Sequence, residues 1–186
     1  MNICEMIKAF KPYNEQEERD KEQILRFIRN NPDAFSRENS TAHITASAWI
    51  VNAERTRVLM CYHNIYDSWS WTGGHADGDE DLLAVALKEA AEETGLKSIK
   101  PVSEDIFSLE ILAVNGHEKK NRYLSSHLHM NVTFLLEADE GEETRACEGE
   151  NSAVKWFDLD EAPKASSEPW FAERIYKKLN EKLKIK

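Results

Sequence analysis

The segment GGHADGDEDLLAVALKEAAEETGL, residues 73–96, constrains the fold more than any other part of the chain. It places a helical run between a Gly-Gly pair and Gly95, which can adopt the left-handed conformation that ends a helix. Three carboxylates, Glu89, Glu92 and Glu93, lie in the last turns of that run. They are neighbours on a helix surface and repel one another, and the helix dipole disfavours anions at this end. We therefore expect a positive partner for this turn.

The predicted helix begins near Asp79, an adequate N-cap, and ends at Thr94. At 100° per residue, Leu83, Leu87, Ala90 and Thr94 share a face that can pack on a sheet. The three carboxylates fall on the opposite side. The sequence therefore predicts an amphipathic helix whose acidic last turn lies opposite its sheet-packing face.

Two interpretations of the acidic turn are open. A run of charges on a helix is usually a solvated face. The surroundings favour a second interpretation, because a Gly-Gly corner precedes the helix and Lys88 stands beside the carboxylates. Carboxylates that converge at one helix end form the hard oxygen site that Mg²⁺ or Mn²⁺ prefers. A bound cation would relieve the repulsion between the like charges.

Strand-like segments lie on both sides of this helix, and further helices lie near the two ends of the chain. The capping-box spacing of Asn14 and Glu17, with Pro32 as a stop, predicts a helix from Asn14 to Asn30. An apolar stripe with a period of four predicts a last helix over about residues 167–184. The predicted strands are 42–51, 57–63, a short strand containing Trp69 and Trp71, 107–114, 127–138 and 153–159. This order predicts an α/β (α+β) fold, a mixed β-sheet sandwiched between helices.

Polar side chains alternate with apolar ones on two of these strands. These polar residues are His127, His129, Asn131 and Thr133 on one strand and His43, Thr45 and Ser47 on the other. We expect the two polar rows to line a cleft or to form hydrogen bonds across the sheet. Because the carboxylates already supply a site for a hard cation, no metal is assigned to the histidine pair.

Composition and charge narrow the class of partner. The chain has 186 residues and a formal net charge of −10, which disfavours sequence-independent binding to a nucleic acid polymer. A small anionic substrate is still compatible with this charge if metal ions lie between it and the protein. The three cysteines are far apart, and no apolar run suits a signal peptide or a membrane span. A cytoplasmic protein without membrane contact is expected.

Residues 74–96 resemble the signature of the Nudix hydrolase family. The matching positions are Gly74, Glu80, Lys88, Glu89, Ala90, Glu92, Glu93, Gly95 and Leu96. One position departs, since the family usually has Arg where this chain has Lys88, and Lys offers a point charge instead of a planar fork. The resemblance implies a Nudix domain over residues 41–186, including the C-terminal helix, preceded by an N-terminal helical extension over residues 1–40.

The resemblance also implies a chemistry, namely metal-dependent hydrolysis of a pyrophosphate linkage in a nucleoside diphosphate derivative. The metal ligands it implies are the carboxylates of Glu89, Glu92 and Glu93 and the carbonyl of Gly74, with Mg²⁺ or Mn²⁺ bound. One of the three carboxylates orients or deprotonates the attacking water. Lys88 holds the carboxylates in place of the family's Arg.

Enzymes of this family often draw another acid from a loop beyond the signature. Glu150 is the best candidate for this catalytic role, and Glu148 is the second, although both also fit an ordinary acidic surface loop. Glu80 is expected to act at the helix start or through a water molecule.

Three functions are compatible with the sequence. The first is the pyrophosphohydrolase, and the second is a Nudix-fold sensor or regulatory domain that binds a nucleotide without turnover. The intact set of carboxylates argues against the sensor. The third is an isomerase of isopentenyl diphosphate, for which neither Cys61 nor Cys147 has a fitting motif. A homodimer is left open.

Overall fold

The computed structural model describes residues 2–119 and 122–185. The helices are α1 (Ile3–Ala9), α2 (Glu15–Asn30), α3 (Leu82–Thr94), α4 (Ala162–Ala165) and α5 (Lys177–Leu183), and a π-helical segment, Phe171–Tyr176, leads into α5. The strands are β1 (Ala42–Val51), β2 (Arg57–His63), β3 (Ser68–Ser70), β4 (Thr72–His75), β5 (Lys100–Pro101), β6 (Ser108–Val114), β7 (His117–Lys119), β8 (Arg122–Leu124), β9 (His127–Glu137) and β10 (Asn151–Asp158).

Strand β1 is the centre of the sheet. It pairs in parallel with β9 and antiparallel with β2 and β4. Strand β9 also pairs antiparallel with β5 and β6, and β2 pairs antiparallel with β3 and β10. Strands β7 and β8 form a separate two-stranded sheet. The predicted mixed sheet is therefore confirmed, with the predicted short strand divided into β3 and β4 at Trp71.

The sheet has an apolar core on each face. All residues of β1 are buried, and they alternate between the two cores. Ile44, Ala46 and Ile50 pack with α1, α2 and α3, whereas Trp49 and Val51 pack with the C-terminal helix. The sheet is thus sandwiched between helices, as the sequence predicts.

The N-terminal extension is helical and contributes to the first core. The predicted helix is α2, whose cap Asn14 accepts a hydrogen bond from the backbone N–H of Glu17 at 3.0 Å. Helix α1 is not among the predicted helices. It has a complete capping box between Asn2 and Glu5. Its buried Ile7 packs in the same core as α2.

Helix α3 begins two residues later than predicted. Asp81, not Asp79, is its N-cap, and the Asp81 side chain accepts a hydrogen bond from the N–H of Ala84 at 3.0 Å. The predicted end is confirmed, because Gly95 follows Thr94 with φ 74°, in the left-handed region.

The predicted orientation of α3 is correct only in part. Ala90 and Thr94 are buried as predicted, whereas Leu83 and Leu87 are only partly buried. The buried face is rotated toward Leu82, Val85 and Ala86, and it includes the side chain of Glu93. Glu93 therefore faces β4, whereas Glu92 is exposed as predicted.

A buried ionic network ties α5 to α2 and β6. The Lys178 Nζ atom lies 2.9 Å from Glu110 Oε1 and 3.4 Å from Glu17 Oε1, and Lys182 Nζ lies 2.6 Å from the same Glu17 atom. Although burial alone would raise it, Lys178 and Lys182 hold the pKa of Glu17 below its ordinary value. The network is balanced in charge, with two carboxylates and two ammonium groups.

We predict that Lys178→Met lowers the free energy of unfolding by about 3–5 kcal/mol. The substitution keeps the apolar stem but leaves the Glu110 carboxylate buried without its cation. Urea unfolding followed by circular dichroism measures the change.

The matched control is Lys177→Met, one residue earlier on the same helix. Lys177 pairs with Glu173 on the surface, and both side chains are more than half exposed. Its loss should cost at most about 1 kcal/mol. Equal losses for the two variants would show that the buried network does not stabilise the fold.

Candidate active site

The last turn of α3 lies directly against the Gly-Gly pair of β4. The backbone N–H of Gly73 donates a hydrogen bond of 2.9 Å to Oε1 of Glu93, whose residue is only 7% exposed. The N–H of this glycine thus donates to a nearly buried carboxylate on which the charges of Glu89, Glu92 and Glu150 also act. Glu93 is fixed in place by the strand it faces.

The two glycines are required by close approach. A Cβ atom on Gly74 would lie 2.6 Å from Oε2 of Glu89, and a Cβ atom on Gly73 would lie 2.7 Å from the carbonyl oxygen of Ala46 on β1. At Gly73 a side chain would meet backbone atoms of β1, whereas at Gly74 it would meet the carboxyl group of Glu89, which would have to move. The glycines therefore bring the backbone of β4 into contact with the Glu89 carboxylate on one side and with β1 on the other.

Lys88 bridges the two carboxylates next to it. Its Nζ atom lies 3.8 Å from Oε1 of Glu89 and 3.8 Å from Oε2 of Glu92. The lysine is largely exposed, so this bridge is a weak, solvated one. Its placement agrees with the predicted positive neighbour of the acidic turn.

The acidic turn carries more negative charge than the protein neutralises. Burial raises the pKa of Glu93 to about 8, the hydrogen bond from Gly73 opposes this, and Glu89, Glu150 and Glu92 raise it further. Burial also raises the pKa of Glu89, against the effect of Lys88. A cation bound among these carboxylates would relieve the same repulsion.

The loop acid Glu150 lies near this turn. It is exposed at the end of the loop that leads into β10, and its charge acts on both Glu89 and Glu93. Its carbonyl accepts a hydrogen bond from the N–H of Asn64 at 3.1 Å. Glu148 is exposed in the same loop, and Glu80 is exposed in the loop before α3.

Sequence reasoning missed two groups that hold the acidic turn. Asn151 donates a hydrogen bond of 3.0 Å to the carbonyl of Glu93, and Cys61 lies 3.8 Å from the same oxygen. Both come from neighbouring strands, β10 and β2. In the sequence, these two residues merely interrupt or flank apolar strand patterns. Their contact with Glu93 arises from the pairing of the strands, which those patterns do not reveal.

A second missed feature is the ion pair between Arg37 and Asp77. The guanidinium donates two hydrogen bonds to the carboxylate, through Nε and one Nη atom. Arg37 also acts electrostatically on Glu89 and Glu150. It adds a second positive group beside the acidic turn.

The polar rows of β1 and β9 form hydrogen bonds across the sheet. Oδ1 of Asn131 accepts from Thr45 and Ser47, each at 2.9 Å. The amide of Asn131 and the hydroxyl of Thr133 donate to Glu110 at 3.1 and 2.8 Å. One of the two expectations for these rows is thereby confirmed.

The donor set of the acidic turn suits a hard divalent cation. Its side-chain donors are all carboxylate oxygens, and the backbone of Gly74 lies against one of them. Oxygen ligands of this kind are preferred by Mg²⁺ and Mn²⁺, not by the softer metals. The residues present therefore fit the cation that the sequence predicts.

The chain belongs to the Nudix family, since the NUDIX domain matches residues 41–179, most of its length. This confirms the resemblance of residues 74–96. In the part of the chain that the structure describes, no helix is long and apolar enough to cross a membrane.

Several known proteins are similar to the chain. A CMP-5'-(N-acetyl-N-hydroxy-3-aminopropyl)phosphonate hydrolase of Streptomyces rubellomurinus is 31% identical over 121 residues, which are 63% of this chain and 52% of that protein. The chain thus spans about half the length of this relative.

Solved structures show the fold. An Ap4A hydrolase of C. elegans aligns with a TM-score of 0.53 at 20% identity, over 76% of this chain and 95% of that one. The E. coli dihydroneopterin triphosphate pyrophosphohydrolase aligns with a TM-score of 0.54 at 16% identity, over 73% and 92%. The predicted Nudix fold is confirmed.

The two glycines of β4 should respond differently to Ala. Gly73→Ala directs a methyl group at backbone atoms of β1, so the free energy of unfolding should fall by about 1–3 kcal/mol. Gly74→Ala meets only the far end of the Glu89 side chain, which can rotate away, so its loss should be smaller. Urea unfolding of both variants tests this order.

Gly141→Ala is the control, because a Cβ atom at this exposed turn is 3.3 Å from its nearest neighbour, Oδ1 of Asp139. It should change stability by about 0.5 kcal/mol or less. If Gly74→Ala proved the more destabilising of the β4 pair, the close approach between β4 and β1 would be refuted.

Proposed function

We propose that the protein is a metal-dependent pyrophosphohydrolase, which cleaves the pyrophosphate linkage of a nucleoside diphosphate derivative by attack of water on phosphorus. The observation that carries this proposal is the acidic turn of α3, held against Gly73 and Gly74 with one carboxylate buried. Such a concentration of negative charge disfavours binding of an anionic substrate unless divalent cations are present.

We assign the metal ligands to the carboxylates of Glu89, Glu92 and Glu93 and the carbonyl of Gly74, with Mg²⁺ or Mn²⁺ as the ion. When bound, the ion supplies charge neutralisation for the phosphate oxygens and lowers the pKa of a coordinated water. The chain's own contribution is to fix the ligands. Gly73 orients the Glu93 carboxylate by its hydrogen bond, and the absent side chain of Gly74 leaves space for Glu89.

The remaining assigned residues surround this turn. Lys88 is assigned to holding the carboxylates of Glu89 and Glu92 in place. Its ammonium group lies between them and attracts both. Glu150, close enough to act on Glu93, is assigned to water orientation or to a second metal position. The catalytic domain is assigned to residues 41–186, with residues 1–40 as a helical extension.

The substrate class rests on chemistry that the relatives share. Two of the similar proteins have names that describe hydrolysis of nucleotide-type phosphoanhydrides, an Ap4A hydrolase and a triphosphate pyrophosphohydrolase. A third acts on a CMP-linked phosphonate. A small molecule with a phosphate ester joined to a second phosphorus group fits all three, and a nucleoside phosphate fits two of them. The alternative is a sensor that binds such a nucleotide without turnover.

The proposal predicts that hydrolysis requires a divalent cation. Activity should vanish in excess chelator and return with Mg²⁺ or Mn²⁺, because the carboxylates of the acidic turn otherwise repel the substrate. Phosphate or nucleotide release is measured over a panel of nucleoside triphosphates, oxidised nucleotides, ADP-ribose, nucleotide sugars, dinucleoside polyphosphates and CMP-phosphonates. Full turnover in chelator would exclude this mechanism, and metal-dependent binding without turnover of any panel member would favour the sensor.

The second functional prediction concerns Glu93→Gln. The amide can still accept the hydrogen bond from Gly73 but removes a ligand charge, so kcat should fall by roughly 10²-fold or more. Urea unfolding should show that the fold is kept, because the amide has the size of the carboxyl group and keeps the contact with Gly73.

Two further variants make this test specific. Glu150→Gln should lower kcat with little change in KM if this acid orients the water, whereas Glu143→Gln, an exposed acid of the same loop, should leave kcat unchanged. A Glu93→Gln enzyme with wild-type kcat would show that the acidic turn is not the active site.

A further inference from the structure

Four histidines from three strands converge on one face of the sheet. They are His43 of β1, His75 of β4, and His127 and His129 of β9. The centroids of five of the six ring pairs lie between 4.9 and 5.1 Å apart. One ring nitrogen from each of His43, His75 and His129 lies within 4.8 Å of the others. We call these four residues the histidine cluster.

The histidine cluster is separate from the acidic turn. In the β1–β4 ladder, Thr45 pairs with His75 and Ala46 pairs with Gly74. Paired residues point to the same face of a sheet, and successive residues point to opposite faces. Ala46 lies in the core that contains α3, so His75 and the alternating His43 point to the other face.

His43 presents a nitrogen that has no partner in the described structure. Its residue is 4% exposed, and its Nδ1 atom donates to the carbonyl of Asn39 at 3.0 Å. A neutral ring that donates through Nδ1 carries a lone pair on Nε2, and this buried atom makes no hydrogen bond. Donation of the second ring nitrogen to a carbonyl is the usual orientation of a metal-binding histidine.

His127 also contacts a backbone carbonyl through Nδ1, but its Nε2 atom has a ring partner. Its Nδ1 atom lies 2.8 Å from the carbonyl of Ser125, and its Nε2 atom lies 3.3 Å from Nε2 of His129. Two nitrogens bound to one zinc ion at about 2.0–2.1 Å in tetrahedral geometry are about 3.4 Å apart. The 3.3 Å between the Nε2 atoms of His127 and His129 already matches that value. The nitrogen atoms of His43, His75 and His129 lie up to 4.8 Å apart, so they would have to approach one another by about 1.4 Å to bind one ion.

The protonation state of the rings suits a metal as well. Burial lowers the pKa of His43 and lowers the pKa of His129 to about 2, with repulsion from the neighbouring histidines as a further cause. Arg37, a cation that acts on His43 and His129, is paired with the carboxylate of Asp77 through two hydrogen bonds.

We propose that His43, His75 and His129 bind one transition-metal ion of borderline softness, such as Zn²⁺, with His127 as the fourth ring. Imidazole nitrogens select such ions, whereas the oxygens of the acidic turn select Mg²⁺ or Mn²⁺. The chain thus has two cation sites of different chemistry on opposite faces of β4. Because its ligands come from β1, β4 and β9, the nitrogen site links the three strands when it binds metal.

Zinc titration in excess magnesium tests the site. The full chain is stripped with chelator, dialysed, and titrated with Zn²⁺ in competition with a chromophoric chelator, with millimolar Mg²⁺ present to occupy the oxygen site. Wild type should bind one Zn²⁺, and His43→Gln and His129→Gln should weaken its affinity at least tenfold. His117→Gln is the matched control, because His117 also contacts a backbone carbonyl through Nδ1, at 3.0 Å, but lies in the separate β7–β8 sheet.

A spectroscopic measurement on wild type covers the case in which a variant does not fold. Imidazole ¹H–¹⁵N spectra should show Zn²⁺ shifting the ring nitrogens of the histidine cluster while those of His117 stay unchanged, and the thermal midpoint should rise with Zn²⁺. The proposal is overturned if wild type binds no Zn²⁺ in the presence of Mg²⁺, if folded His129→Gln binds it equally, or if only Glu93→Gln loses it. None of these results depends on the hydrolase activity.

Discussion

The contact between the last turn of α3 and the Gly-Gly pair of β4 determines where every proposed reactive group lies. The hydrogen bond from Gly73 to Glu93 fixes the depth of the helix, and the missing side chain of Gly74 fixes its distance from the strand. Strand β4 is in turn held by β1, the centre of the sheet. A side chain at Gly73 would press on the backbone of β1, and one at Gly74 would displace the carboxyl group of Glu89. The position of the carboxylates therefore depends on two residues that carry no functional group.

The two groups of acids, the Glu17–Glu110 network and the acidic turn, differ in how their negative charge is neutralised. Glu17 and Glu110 are each within 3.4 Å of a buried ammonium group, so this network is complete within the chain. Within residues 2–119 and 122–185, the cations that act on the acidic turn are the exposed Lys88 and Arg37, and the pKa of Glu93 is raised to about 8. Internal lysines make the first group a structural element, whereas the second is the site that we propose for a metal ion.

Local signals in the sequence predict the elements better than they predict their orientation. Asn14 and Gly95 are correctly assigned as helix ends because capping depends on nearby residues. The face of α3 is predicted correctly at Ala90 and Thr94 but not at Leu82, Val85 and Ala86, because apolar residues occupy both candidate faces. Burial of Glu93 is not predicted either, because the backbone donor that it contacts lies on β4 and is non-local. The histidine cluster is not predicted from the sequence either, because it depends on a non-local contact. The register of β1 with β9 brings His43 beside His129.

The parallel pairing of β1 with β9 has a consequence for how the chain acquires its structure during synthesis. Thr45 and Asn131 are hydrogen-bonded partners 86 residues apart, and β1 is buried along its whole length. A ribosome that has just produced β1, β2 and β4 releases a central strand with one edge unpaired, and that edge stays available to other chains until β9 emerges. Long-range parallel pairing is also slow, because the loop must close before its contacts stabilise it. The period between translation of the two strands is therefore when this protein is most exposed to aggregation.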